Sequence, residues 1–368
     1  MKDNVKNKIT VLLMAGILLG ISLICWFKPA EEYSDSERRT LAKFPQLNKE
    51  AILSGRFMKD FETYTLDQFP MRDTFRGLKS FSTLYLFQEK EINDLYVKDG
   101  YVIKAEYPLS QPMMDNAAKK FNSIYEKYLK DTDTDIFFSI VPDKNYFIGE
   151  ESGRLSMDYS ELTSTLTDNL PYMQYLDLFD CLKLEDYYYT DTHWKQENLL
   201  FAAQNLASGM GVPISTEYET KVVPEDFYGV YYGQLALPVK PDKIKYLTND
   251  ILESCVVTNY DTGIPVVTPM YDLSKATSKD PYELFLCGNS ALVTIENPNA
   301  LTSKELIVFR DSFGSSMVPL LATGYSKVTL IDIRYINSGM LGGFVPFDDQ
   351  DVLFLYSTLV LNSSTSFK

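Results

Sequence analysis

The chain has 368 residues, 45% hydrophobic and 14% aromatic, with a formal net charge of −15 and a pI of about 4.6. That apolar content excludes a disordered chain and suffices for a sizeable core, while the acidity excludes the basic footprint that nucleic-acid binding needs. A single histidine and four cysteines without paired metal spacing exclude a histidine-rich or cysteine-rich metal site, so neither metal nor cofactor is expected.

Residues 9–27 form an almost unbroken apolar run of nineteen residues, which as a helix spans roughly 28 Å, near the thickness of a bilayer core. Lys2, Lys6 and Lys8 precede the run, and Glu31, Glu32 and Asp35 follow it. The lysines favour a cytoplasmic N-terminus and an exported remainder. A cleaved signal peptide is the competing reading, but Lys28-Pro29-Ala30 is a poor cleavage site. The expected organisation is therefore a cytoplasmic tip and transmembrane anchor (1–28), a polar linker (29–50) and an extracytoplasmic domain (51–368). Cys25 lies in the anchor, and Cys181, Cys255 and Cys287 are expected as free thiols or with one disulfide among them.

Beyond the linker, Phe57, Phe61 and Tyr64 recur at helical spacing. Pro70 breaks that helix, and a second helix is expected over 73–88. Residues 96–103 read as a hairpin around an Asp-Gly turn. An α/β alternation then begins, with a helix over 115–129 and a buried strand over 135–141. That strand ends at Pro142-Asp143-Lys144, the kind of strand end where open α/β sheets gather ligands. A helix over 159–170, a short strand over 176–179 and a helix over 196–210 follow. Residues 213–280, rich in Val, Tyr, Pro and Asp, read as a β-rich insertion. Strands are then expected over 283–286, 305–309, 327–331 and 351–355. Such alternation implies a largely parallel sheet with helices on both faces.

Two distant stretches carry the candidate chemistry. Glu305 to Phe309 runs into the turn Arg310-Asp311-Ser312-Phe313-Gly314 and then a helix, which exposes a serine hydroxyl at a sheet edge where backbone N–H groups converge. A serine nucleophile needs a base, and the base needs an orienting carboxylate. His193 is the one histidine available, and Asp191 lies two residues before it. A Ser312–His193–Asp191 triad for acyl transfer is the reading, with Asp311 and Asp332 as alternative orienters. The plainer alternatives are a packed histidine and an Asp-Ser helix cap.

The motifs Asp67-Gln68-Phe69-Pro70-Met71-Arg72-Asp73, Val141-Pro142-Asp143-Lys144, Thr190-Asp191-Thr192-His193-Trp194, Gly288-Asn289, Asp311-Ser312-Phe313 and Asp332-Ile333-Arg334-Tyr335 occur in this order. Together they resemble the DHHW protein family, related to the alginate O-acetyltransferase-like branch of the SGNH hydrolases. Thr192 departs from the family's first histidine, and Arg310 replaces the glycine of an ordinary SGNH serine block. The resemblance implies an SGNH-like (flavodoxin-like) α/β sandwich. It also implies an extracytoplasmic enzyme that moves acetyl groups onto polysaccharide hydroxyls, with a membrane-bound O-acyltransferase partner supplying acetyl. Ser312 is then the nucleophile, His193 the base and Asp191 the orienter. The Ser312 N–H is one oxyanion donor and Asn289 or the Gly288 N–H a second, with a turn role the alternative for Asn289. Arg334, Tyr335, Lys144 and Trp194 are substrate-contact candidates, with structural alternatives for three of them: a buried structural arginine for Arg334, a solvated loop position for Lys144, core packing for Trp194. An acetyl esterase of the same fold uses the same triad, and a non-catalytic glycan-binding scaffold is the reading from another class.

Overall fold

The structure, a computed structural model, describes residues 2–34 and 36–368. Asp35, and the side chain of Lys2 from the flanks of the apolar run, lie outside what is described. The chain divides into two compact units: residues 1–93 with 232–238, and residues 94–231 with 239–368.

In the smaller unit a helix spans Lys2–Phe27, and its apolar window, Asn4–Phe27, is long enough to cross a membrane and is not buried against protein. The polar stretch after it is pinned down by side-chain bonds. The Glu31 N–H donates to Gln68 Oε1, and Gln68 Nε2 donates back to the Glu31 carbonyl, both at 2.8 Å. Arg39 grips the Asp67 carboxylate with both terminal nitrogens. Short helices follow at Lys49–Leu53, Arg56–Asp67 and Arg72–Phe81, the last running on as a π-helical turn over Ser82–Leu86. The break between the second and third falls at Pro70, as its missing N–H requires.

The larger unit is built on one eight-stranded sheet: β1 (Ile136–Val141), β2 (Gln174–Tyr175), β3 (Val256–Asn259), β4 (Val266–Thr268), β5 (Leu292–Glu296), β6 (Glu305–Arg310), β7 (Lys327–Ile331) and β8 (Asp351–Ser357). Their order is β4-β3-β5-β7-β6-β8-β1-β2. The five strands from β7 to β2 are parallel, and β4, β3 and β5 extend the sheet antiparallel. β1 and β8 are buried along their whole length, as a sheet covered on both faces demands. Strand alternation sorts the core onto two faces. Phe137, Val308, Leu353 and Leu330 meet the helices Leu200–Gly209 and Gly314–Ala322 on one side. Phe138, Ile307, Phe354 and Ile331 meet Gln111–Ile124 and Tyr159–Asn169 on the other.

The Asp-Gly hairpin forms over Leu95–Lys98 and Tyr101–Lys104, with Asp99 and Gly100 both at positive φ. From the 213–280 stretch, Glu219–Val222 pairs with Lys245–Thr248, whereas β3 and β4 join the main sheet. Two expected strands differ. Residues 176–179 lie past β2, because the chain leaves the sheet edge and Asp177 caps a 3-10 turn at Phe179–Cys181 by accepting the Asp180 N–H. Residues 283–286 belong to a 3-10 turn, Pro281–Leu284, and its exit; Asp280 accepts the Tyr282 N–H, and Pro281 sits at the first position, which selects a helical start. The strand nearby is β5. All four cysteines are free.

Candidate functional site

β6 delivers the serine. Asp311 follows its last residue and shapes the turn with both carboxylate oxygens. Oδ1 accepts the Phe313 N–H at 3.0 Å, and Oδ2 accepts the Ser357 N–H and hydroxyl at 2.8 and 2.7 Å. Asp311 is therefore spent on the turn and on β8, not on the histidine. A side chain at Gly314 would put its Cβ 2.7 Å from Arg310 Cβ, so the turn needs glycine to start its helix. Arg310 is fully buried and points its Nη2 at the Gly288 carbonyl, 3.0 Å, with Asp332 3.7 Å away. Burial pushes its pKa down, and Asp332 opposes the shift. Ser312 itself stays half-buried.

His193 lies across from it on the irregular stretch between the bridge residues Tyr187 and Trp194. His193 Nε2 is 2.8 Å from Ser312 Oγ, and Nδ1 is 2.6 Å from Asp191 Oδ1. Asp191 Oδ1 also accepts the His193 N–H at 3.0 Å, and Oδ2 accepts the Val230 N–H at 2.8 Å. The carboxylate is almost wholly buried and satisfied on both oxygens. With Nδ1–H donating to Asp191, Nε2 is left to accept the serine proton. The Asp191–His193 pair thus closes an Asp turn within a bend.

Several residues that no local motif signals hold this bend. The Asp242 carboxylate accepts the Tyr189 and Thr190 N–H groups, each at 2.8 Å, and the Thr190 hydroxyl at 2.7 Å. The Gly229 N–H donates to the Thr190 hydroxyl, and a Cβ at Gly229 would lie 2.3 Å from Asp191 Cβ. Tyr282 stacks on the His193 ring at 3.8 Å and 7°. Its hydroxyl meets Ser316 Oγ at 2.7 Å, and burial pushes the phenol pKa well up, so it stays neutral. Each of these contacts joins residues tens of positions apart, which leaves no short-range pattern to read.

The other candidates are placed as follows. Trp194 has no exposed surface and donates Nε1 to Ser316 Oγ and the Phe313 carbonyl. Gly288, at φ +61°, donates its N–H to the Phe285 carbonyl at 2.9 Å. Asn289 is exposed, with its amide 3.5 Å from Glu283. Lys144 is buried, and its amine donates to the carbonyls of Val102, Tyr188 and Tyr189. Burial pushes its pKa down to about 7, against the pull of Asp191 and Asp242. Arg334 folds back onto Asp332 through Nε and Nη2 and lies over the exposed Tyr335 ring. Lys144, Asn289, Arg334 and Tyr335 make no hydrogen bond to Ser312 or His193 among the described residues. No cluster of three or more potential metal-ligating side chains occurs among the described residues.

Comparison with known families now bears on the site. Residues 156–331 match the DHHW protein family. The DHHW segment contains Asp191, His193, Gly229, Tyr282 and Ser312, and it stops before Arg334. A DHHW family protein from Eubacterium siraeum aligns with a TM-score of 0.59 at 20% identity, over 75% of this chain and 94% of that one. Bacillus cereus PatB1, solved with a sulfonyl adduct, aligns with a TM-score of 0.57 at 19% identity, over 73% of this chain and 97% of its own. At these identities the likeness is one of fold, and the largely parallel α/β architecture expected from the strand–helix alternation is borne out. No curated protein matches the chain by sequence.

Proposed function

We propose that this chain is an extracytoplasmic O-acetyltransferase that passes acetyl to hydroxyls of a cell-surface or secreted polysaccharide through a serine acetyl-enzyme. The reading rests on one observation, the run of 2.8 and 2.6 Å contacts from Ser312 Oγ through His193 to Asp191. In this mechanism His193 Nε2 takes the Ser312 proton as Oγ attacks the acetyl carbonyl. The donor's leaving group departs with that proton. A sugar hydroxyl then gives its proton to Nε2 and attacks the acetyl carbon, and the proton returns to Ser312 Oγ. Asp191 holds the Nδ1–H tautomer throughout. The oxyanion donors are the Ser312 N–H, which has no acceptor among the described residues, and the exposed Asn289 amide. The Gly288 N–H is already engaged by Phe285.

The apolar Asn4–Phe27 helix is the anchor in this reading, with residues 1–28 as cytoplasmic tip and span and the remainder outside. A membrane-bound O-acyltransferase partner brings the acetyl across the bilayer in this reading. The full chain in detergent, incubated with an activated acetyl ester, should gain a transient acetyl mass that maps to Ser312 and is absent from Ser312→Ala. Added oligosaccharide should then become acetylated at the expense of hydrolysis. A folded protein that shows neither adduct nor turnover would overturn the proposal.

A further inference from the structure

The helix that runs from Arg72 through the π-helical turn to Leu86 is amphipathic with its polar side turned inward. Arg72 and Arg76 reach in to Glu37 at 2.6 and 3.2 Å. Ser80 is buried, and Gly77 lies so close to the Ala236 carbonyl that a Cβ would come within 2.7 Å of it. The outward stripe is apolar. Phe75, Leu78, Phe81 and Tyr85 recur at three- and four-residue spacing, Leu86 and Phe87 continue it, and these side chains are between 46% and 69% exposed. Ile52, Leu53, Met58 and Leu66 on the two preceding helices are exposed too. A soluble surface rarely leaves so much contiguous apolar area uncovered.

What covers it follows from the tether. The apolar helix ends at Phe27, and Glu31 is already bonded to Gln68 in both directions. Four residues reach at most ~14 Å. Gln68 lies two residues before Pro70 and four before the start of the amphipathic helix at Arg72, so that helix is tied close to where the span ends. Lys79 lines a cavity of about 510 Å³ together with Phe69 and Phe75, beside the Arg76–Glu37 ion pair, which sets a lysine amine at the apolar edge. Interfacial helices carry this combination.

We propose that the Phe75–Phe87 face lies on the outer surface of the bilayer that the N-terminal helix spans, a claim that rests on the anchor reading above. The full chain should be reconstituted in vesicles containing a phosphatidylcholine with a diazirine on its acyl chain, then photolysed and mapped by mass spectrometry. Lipid adducts are expected on peptides from 4–27 and also from 72–87. In a Leu78→Glu, Phe81→Glu, Leu86→Glu variant the second set should fall at least about tenfold while the first persists, because charge is expelled from the apolar layer. Adducts on 4–27 alone would overturn the interfacial face and leave the anchor standing. Intermolecular crosslinks at 72–87 formed by an added bifunctional amine-reactive reagent in the same vesicles would overturn it in favour of self-association. No adduct on either stretch would overturn both readings.

Discussion

The serine and the histidine reach the same point by different means. Ser312 is carried by regular structure: a buried parallel strand, a turn tied to the neighbouring strand by Asp311, and a helix packed into the core. His193 is carried by a bend with almost no ladder of its own, held by groups from other parts of the chain: the Asp242 carboxylate, the Val230 and Gly229 N–H groups and the Tyr282 ring. Regular secondary structure positions the serine, whereas buried polar satisfaction positions the histidine. The first should tolerate change around it, and the second should be sensitive to residues far from the chemistry.

Breaking each half in turn tests this contrast. Ser312→Ala should remove acetyl turnover by about 10³-fold or more without moving the thermal midpoint, since only a half-exposed hydroxyl is lost. Asp191→Asn should cost about 10²- to 10⁴-fold in kcat, because an amide no longer selects the Nδ1–H tautomer. Unlike the serine variant, it should also destabilise the fold, since a buried acceptor shared by His193 and Val230 is weakened. Gly229→Ala keeps every catalytic group, yet its methyl has no room beside Asp191. A loss of about 1–3 kcal/mol in chemical denaturation, with activity falling in step, is expected. Unchanged stability and activity there would mean the bend adapts, and the contrast would fail.

Tyr282 sharpens the comparison. Tyr282→Phe keeps the ring on His193 and should lose less than about tenfold in kcat. Tyr282→Leu removes the stack and should lose more, read as kcat rather than KM. A last test is the pH dependence from Lys144. Its amine is harder to protonate in the folded chain, about 7, than at the ordinary lysine value near ~10.4. Unfolding therefore takes up a proton between those values, so stability should rise with pH from about 7 towards 10 and fall as pH drops through 7. In Lys144→Met that slope should flatten in denaturation curves measured across the range.

The parts of the site legible in the sequence were those made by local rules. The apolar run to Phe309 followed by Asp-Ser-Phe-Gly announces a strand, a turn and a helix start, and a single histidine leaves no choice of base. The Asp280-Pro281 pair is equally local, yet the β-prone Leu-Phe-Leu after it draws the eye to a strand, and the cap decided otherwise. β5 escaped notice because Leu292–Glu296 pairs antiparallel with strands on either side, where the alternation of strand and helix gives no cue.

Read alone, the sequence yields the apolar N-terminal helix, the two-faced parallel core and the candidate serine and histidine, because each depends on composition or on contacts within a few residues. Only the tertiary structure decided that Asp191 rather than Asp311 faces His193, that Tyr282 backs the imidazole, that Gly229 must be glycine, and that Trp194 and Lys144 are consumed by the interior. Those outcomes depend on which distant backbone N–H and carbonyl groups arrive at a buried side chain, and chain topology sets that arrival.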